Sequence, residues 1–337
     1  MDYILIMSAA LISFIITALL GKSVIPFLHR LNFGQTIRES GPKWHKKKNG
    51  TPTMGGFMFI IGIVLSVAVC ASIYYGTVGT NPLNSLMRTK IVGGLLMAVG
   101  FGFIGFLDDY IKVVKKRNLG LTVKQKLFLQ FLVAGAYLCS IYLAGGRSVT
   151  LIPFAGKVDF GIWYWIVAFL GIVGVVNAVN FTDGIDGLNA SVTFFVSLAF
   201  IAISGMMNIS ASGILSAAAG GGCLGFLVWN FYPAKVFMGD TGSLFLGGLV
   251  CALGFSLDIP ILILLVGIIY IVEILSVVIQ VTYFKATHGK RLFKMSPIHH
   301  HFEMCGWSEV KICFVFSLVT ALAGFGAILL VSYGLLK

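Results

Sequence analysis

The chain has 337 residues, of which 58% are hydrophobic and 11% charged, with a mean hydropathy of +0.97, against roughly 25% charged in an ordinary soluble domain. A soluble fold cannot bury that much apolar surface. Its 24 Lys and Arg against 12 Asp and Glu give a formal net charge of +12, which in a soluble protein would point to nucleic acid but here is read first as membrane topology.

A hydrocarbon core about 30 Å thick takes roughly 20 apolar residues per helix, and ten runs of that kind follow one another. They cover approximately 3–21, 54–75, 91–107, 127–144, 160–178, 188–207, 211–231, 243–257, 259–284 and 310–336. The first begins with Asp2 instead of a basic region and lacks a small-x-small cleavage site, so it is expected to be a retained span and not a signal peptide. The eighth looks short and the ninth long, with only Asp258-Ile259-Pro260 between them. Nineteen Lys and Arg fall in one alternate set of loops, 22–52, 108–126, 231–242 and 285–311, and five elsewhere. By the positive-inside rule the first set is cytoplasmic and both termini lie outside. Six cysteines without a Cys-x-x-Cys pair argue against a disulfide framework or a zinc ribbon. The expected fold class is an all-α integral membrane protein of about ten transmembrane helices, a single unit over 1–337, with its active site on the cytoplasmic face.

Five aspartates cluster at the cytoplasmic ends of these runs. Asp108 and Asp109 end the third run, and a helix C-terminus disfavours negative charge, so a compensating cation is expected there. Adjacent helical carboxylates point about 100° apart, which suits two tasks better than clamping one ion side by side. Asn177, Asn180, Asp183 and Asp186 recur every third residue and come within mutual reach if the helical path continues; Gly184 and Gly187 permit a tight turn or a close ligand. Gly239-Asp240-Thr241-Gly242-Ser243 joins flexible backbone, a hard oxygen ligand and two hydroxyls at a helix entry, a donor set suited to Mg²⁺. His299, His300 and His301 diverge on a helix, so phosphate contacts fit them better than a zinc site. Thr51-Pro52-Thr53 after the basic Trp44–Lys48 run suggests a capped helix N-terminus able to hold an anion. Glu273 is costly inside a membrane and is expected to face the bundle with a partner. Carboxylates for Mg²⁺, basic and imidazole groups for phosphates, and amides for a polar ligand make the inventory of a phosphoryl transferase at a lipid boundary.

Gly50-Thr-Pro-Thr-Met-Gly-Gly56, Leu107-Asp-Asp-Tyr110, Asn180-Phe-Thr-Asp-Gly-Ile-Asp-Gly-Leu188, Phe237-Met-Gly-Asp-Thr-Gly-Ser243, Glu273-Ile-Leu-Ser-Val-Val-Ile-Gln280 and Ser296-Pro-Ile-His-His-His-Phe-Glu303 resemble, in order and over nearly the whole chain, the phospho-N-acetylmuramoyl-pentapeptide transferase family of polyprenyl-phosphate sugar-phosphate transferases. The resemblance implies Mg-dependent transfer of phospho-N-acetylmuramoyl-pentapeptide from its UDP carrier to undecaprenyl phosphate, giving lipid I and UMP in peptidoglycan biosynthesis. It implies a multi-pass protein of the bacterial plasma membrane that uses UDP-N-acetylmuramoyl-pentapeptide, undecaprenyl phosphate and membrane lipid but no nucleic acid; a homodimer is left open. By the same resemblance Asp240 is the leading metal ligand, with Asp108 and Asp109 near the acceptor phosphate, as further metal ligands or with one of them as base. His299 joins these three as a catalytic residue, while Asn180, Asp183, Gly184, Asp186 and Phe237 belong to the nucleotide side. Lys48, Thr53, Asn230, Ser243, Gln280, His300 and His301 are implied contacts with phosphates, sugar or nucleoside. Two alternatives stand beside it: a transferase using UDP-N-acetylglucosamine, and a transporter or channel, which the gathering of acidic groups at one surface disfavours.

Overall fold

A computed structural model describes residues 2–31, 48, 50–78, 82–114 and 119–335. Most of the basic run 44–48 lies outside them; Lys48 lies within. The apolar runs become helices because in hydrocarbon a backbone must satisfy its own hydrogen bonds. In chain order these are α1 (Asp2–Arg30), α2 (Gly56–Val78), α3 (Pro82–Arg88), α4 (Gly94–Val114), α5 (Val123–Leu143), α6 (Ile162–Thr182), α7 (Leu188–Met206), α8 (Ser210–Asn230), α9 (Gly239–Ser256), α10 (Ile263–Val266), α11 (Ile268–Ala286), α12 (Ile298–Met304) and α13 (Glu309–Gly334). A π-helical turn, Thr89–Gly93, joins α3 to α4. The chain is a multi-pass membrane protein: among the described residues nine helical segments are long and apolar enough to cross a membrane. Their outward faces carry exposed apolar side chains such as Leu11, Leu132, Leu143 and Trp163, a distribution suited to lipid and not to water.

The ten expected runs are these nine plus α9, and α9 plays a different part. Sixteen of its 18 residues, Thr241 to Ser256, are buried without a break, so it is the central post of the bundle, packed between α4 and α6. The ninth expected run does not form one helix. Pro260–Leu262 is a short 3-10 turn, α10 follows, and the chain breaks at Gly267 before α11. Pro260 lacks an N–H, and Gly267 carries a backbone entropy cost in a helix interior, so the break falls where helix formers are absent.

The loop between α5 and α6 holds a two-stranded antiparallel hairpin, Val149–Ile152 (β1) and Gly156–Asp159 (β2), which pairs Val149 with Asp159 and Ile152 with Gly156. It is tied to the bundle through Asp258. The Asp258 carbonyl accepts from Leu151 N (2.9 Å) and Thr150 Oγ1 (3.0 Å), and its carboxylate accepts from buried Lys90 Nζ at 2.6 and 2.7 Å. Because α9 runs from Asp240 to Ser256, this clasp marks the end of the bundle opposite the aspartates. Asp2 at Ser210 (2.6 Å) and Gly334 at Phe154 N (2.9 Å) place the start of α1 and the end of α13 there too.

Candidate active site

At the other end, α4 delivers Asp108 and Asp109 and α9 delivers Asp240, and one oxygen from each lies within 4.8 Å of the others. Each carboxylate is steered by a protein donor. Asp108 Oδ1 accepts from Leu121 N (2.8 Å), Asp109 Oδ2 accepts from both Thr241 N (2.9 Å) and Thr241 Oγ1 (2.8 Å), and Asp240 Oδ1 accepts from Asn180 Nδ2 (3.0 Å). The same Asn180 amide donates to Ser243 Oγ at 2.7 Å. The compensating cation expected at the end of α4 is present twice over. Lys112 Nζ lies 2.5 Å from Asp108 Oδ2, 3.8 Å from Asp109 Oδ1 and 3.1 Å from Asp240 Oδ2, and Lys126 Nζ lies 2.9 Å from Asp240 Oδ2. The divergence expected of adjacent carboxylates is real at their steered oxygens, yet their other oxygens converge because Asp240 comes in from α9.

Gly239, with φ at +69°, makes the sharp entry into α9. A Cβ there would sit 2.5 Å from Asp109 Oδ2 and 2.7 Å from Thr53 Oγ1, so glycine lets three segments close around the carboxylates. Phe237 bonds the segment on either side of Thr53: Phe237 N donates to Pro52 O and Gly55 N to Phe237 O, both at 2.8 Å. Gly56 N donates to Met238 O at 3.1 Å. The anion-holding helix start expected after Thr-Pro-Thr is therefore not formed, since the first N–H groups of α2 are taken by the strand-like 237–238 segment.

The three-residue rhythm of Asn177, Asn180, Asp183 and Asp186 does not stay on one helix. α6 ends at Thr182 and the chain turns before α7, which separates the four. Asn177 pairs with Gln130 (2.8 Å) and Asn180 faces Asp240. Asp186 accepts from Lys48 Nζ (2.6 Å) and Ala234 N (2.9 Å). Lys48 Nζ also bonds Glu309 Oε2 at 2.6 Å, and that oxygen accepts from Asp186 N at 2.9 Å. Asn230 staples the turn, its Oδ1 accepting from Gly187 N (3.1 Å) and its Nδ2 donating to Val236 O (2.9 Å). Asp183 lies between this group and the carboxylate cluster. Burial first, and then the carboxylates of Asp240, Asp109 and Asp186, push its carboxyl well above the usual carboxylate range. A raised native pKa is a destabilising linkage above the unfolded value, growing as pH rises. Asp183→Asn should therefore raise the unfolding midpoint of the ligand-free protein at pH 8, and the gain should shrink toward pH 5; a gain independent of pH would contradict this.

The three histidines lie on α12, but the ring centroids of His299 and His300 are 4.1 Å apart, so that pair does not diverge as expected, although each finds a different partner. His299 Nδ1 lies 3.0 Å from Glu273 Oε1, both side chains wholly buried, which supplies the partner expected for Glu273. His300 Nδ1 meets Glu303 Oε2 (2.6 Å), and His301 Nδ1 accepts from Lys294 N (3.1 Å). Gln280 Oε1 accepts from Phe293 N (2.8 Å) and lines an open recess of about 350 Å³ with Phe284, Lys285, Arg291, Met295 and Ser296. Among the predicted residues, then, Asp108, Asp109, Asn180, Asp240 and Ser243 form one hydrogen-bonded cluster flanked by Thr53 and Gly239. Lys48, Asp186 and Asn230 form a second, and His299 to His301 with Gln280 form a third, joined to the second where His299 abuts Gly184.

The chain matches glycosyl transferase family 4 over residues 91–258, which runs from α4 through the end of α9. It is 45% identical over 315 residues to a phospho-N-acetylmuramoyl-pentapeptide-transferase of Clostridium perfringens, covering 94% of this chain and 95% of the relative. A protein of the same name from Heliobacterium modesticaldum is 44% identical over 314 residues, 93% of each chain, and one from Acetivibrio thermocellus is 47% identical over 318 residues, 93% of this chain and 91% of the relative. The chain belongs to the phospho-N-acetylmuramoyl-pentapeptide-transferase family.

For a member of this transferase family the cluster has the donor chemistry of a divalent-cation site: three hard oxygens, from three carboxylates on two rigid helices, close enough to share one ion. Thr241, one of the two hydroxyls of the Gly-Asp-Thr-Gly-Ser motif, completes it together with Lys112 and Lys126, to which the sequence motifs give no role. Lys112 is signalled, four residues after Asp108 on the same helix face; Lys126 is not, because only the packing of α5 against α4 brings it in. Gly184 carries its own expected outcome. A Cβ there would lie 2.0 Å from His299 Nε2, so Gly184→Ala should force the turn off α12 and lower both stability and turnover, whereas a silent Ala variant in a lipid-product assay would show that this contact opens freely.

Proposed function

We propose that this protein transfers phospho-N-acetylmuramoyl-pentapeptide from its UDP carrier to undecaprenyl phosphate, forming lipid I and UMP, with Mg²⁺ at the Asp108–Asp109–Asp240 cluster. The observation that carries the proposal is the convergence of those three carboxylates at one end of the bundle, in a chain 45% identical to transferases of this name over 94% of its length. The charge asymmetry of the loops supports a cytoplasmic location for that end, with the chain acting as a single polytopic unit in the bacterial plasma membrane.

In the reaction an oxygen of the lipid phosphate forms a bond to the sugar-bearing phosphorus of the donor, and the bond from that phosphorus to the bridging oxygen of UMP breaks. A bound Mg²⁺ supplies charge neutralisation between the two anions. An ionised phosphate is already a nucleophile, so direct attack is favoured here over a covalent aspartyl intermediate; a trapped phospho-muramoyl enzyme formed without acceptor would overturn that preference. The protein's own part is positioning. Thr241 fixes Asp109, Leu121 N fixes Asp108, and either carboxylate is in place to hold a proton from the acceptor phosphate. Asn180 and Ser243 orient Asp240. Lys48, Asp183, Gly184, Asp186, Phe237 and Asn230 are assigned to the nucleotide side, and His299, His300, His301, Gln280 and Thr53 to phosphates and sugar.

The deciding experiment is a two-donor assay with purified protein in detergent, undecaprenyl phosphate and Mg²⁺. Labelled lipid and UMP should form from UDP-N-acetylmuramoyl-pentapeptide and not from UDP-N-acetylglucosamine; the reverse preference, or no lipid product, would overturn the proposal.

A further inference from the structure

Each carboxylate of the cluster has one oxygen committed to a protein donor. The other three, Asp108 Oδ2, Asp109 Oδ1 and Asp240 Oδ2, all face a single atom, Lys112 Nζ, at 2.5, 3.8 and 3.1 Å, and Asp240 Oδ2 also accepts from Lys126 Nζ at 2.9 Å. These are the oxygens that a divalent ion shared by the three side chains would need. The Lys112 side chain is about one-third exposed while those of Asp108 and Asp109 are buried, so the ammonium reaches down into the cluster from the solvent side, on a flexible stem with room to withdraw.

We infer that Lys112 is a tethered counter-ion: its ammonium holds the place of the divalent ion when none is bound, and leaves that place when one enters. The inference rests on the reading of the cluster as a cation site. Two physical arguments support it. Three carboxylates side by side, two of them buried, repel one another, and a built-in cation lets α4 and α9 pack before any metal arrives. With Lys112 and Lys126 both present the cluster carries a formal charge of −1, and exchanging Lys112 for a divalent ion makes it neutral, so the exchange is favourable but not steep. A consequence is that the protein holds its metal weakly when alone. The released ammonium becomes a donor for an anionic ligand, which ties metal uptake to the arrival of phosphate. Lys126, which among the described residues pairs with Asp240 and with neither Asp108 nor Asp109, is not displaced.

The test is Mn²⁺ binding, followed by electron paramagnetic resonance on the purified full-length protein without nucleotide or lipid. Lys112→Met should tighten Mn²⁺ binding about tenfold or more, because the ion no longer competes with a tethered cation. Lys126→Met, which removes the same charge without vacating the shared position, should shift it less. An unchanged or weaker Mn²⁺ affinity in Lys112→Met overturns the inference, as does an equal or larger shift in Lys126→Met. Asp240→Asn should abolish binding in either case; if it does not, the cation reading of the cluster itself fails, and the two failures are thereby told apart. Amine acylation of Lys112 in the unmutated protein, read by mass spectrometry, decides the matter even if Lys112→Met does not fold. Saturating Mn²⁺ should raise its modification several-fold, and an unchanged or reduced yield overturns the inference.

Discussion

Replacing Asp240 by Asn should cut Mg²⁺-dependent lipid I formation by about 10³-fold while leaving a folded protein. Asp240 is the carboxylate on which the cluster is centred: α9 aims it at the end of α4, Asn180 holds one oxygen at 3.0 Å, and Lys112 and Lys126 both reach the other. Asparagine keeps the shape and the contact with Asn180 but removes the charge that a hard cation requires. The fold should survive because Lys112 retains Asp108 and the Thr241–Asp109 bonds are untouched. The measurement is turnover across a Mg²⁺ titration, with thermal unfolding as the control. Full activity at limiting Mg²⁺ would remove Asp240 from the metal assignment. Asp108→Asn should be milder, retaining measurable turnover at high pH, where the acceptor phosphate is ionised without help.

The second large effect concerns stability. Glu273 and His299 are both wholly buried, and beyond their mutual contact Glu273 Oε2 and His299 Nε2 have no hydrogen-bond partner among the described residues. Removing either side chain strands the other in a low-dielectric interior, at a cost of about 3 kcal/mol. Glu273→Ala and His299→Ala should each lower the unfolding transition by that order, and the double variant should cost little more than one of them, a coupling of about 2 kcal/mol. Glu273→Gln, which can still accept from the imidazole, should be the mildest of the set. Additive single effects in a double-mutant cycle would show that the pair is not one unit. Because His299 abuts Gly184, the same variants should loosen the turn that carries Asp183 and Asp186.

What could be read in the sequence follows from how far each signal depends on neighbours in the chain. The helices were legible because hydrocarbon leaves a backbone few other choices, and the Asp-Asp pair announced its need for cations because it sits at the unfavourable end of a helix. The carboxylate triad was legible as two separate acidic segments but not as a geometry, since only the antiparallel packing of α4 on α9 brings Asp240 to Asp108. Spacing and hydropathy each pointed once to a helix that the structure divides. A spacing of three suggested one helical row for Asn177 to Asp186, whereas the glycines after Asp183 end the helix and send Asp186 to Lys48. Hydropathy marked 259–284 as a single span, whereas Pro260 and Gly267 divide it. The β1–β2 hairpin escaped notice because each strand has only four residues, and Glu309 because its partner Lys48 is 261 residues away.

Asp108, Asp109 and Asp240 ride on two long helices locked together by Thr241, whereas Lys48, Asp186 and Asn230 lie in or beside the connections between helices. On the proposed assignments, the metal-holding groups and the nucleotide-side groups lie in different parts of the chain. By the same assignments, changes in the connections alter how the donor is held, while the carboxylates keep their registration on a scaffold that such changes do not touch. A laboratory seeking a transferase for an altered donor should exchange connecting segments between relatives and leave the two helices alone.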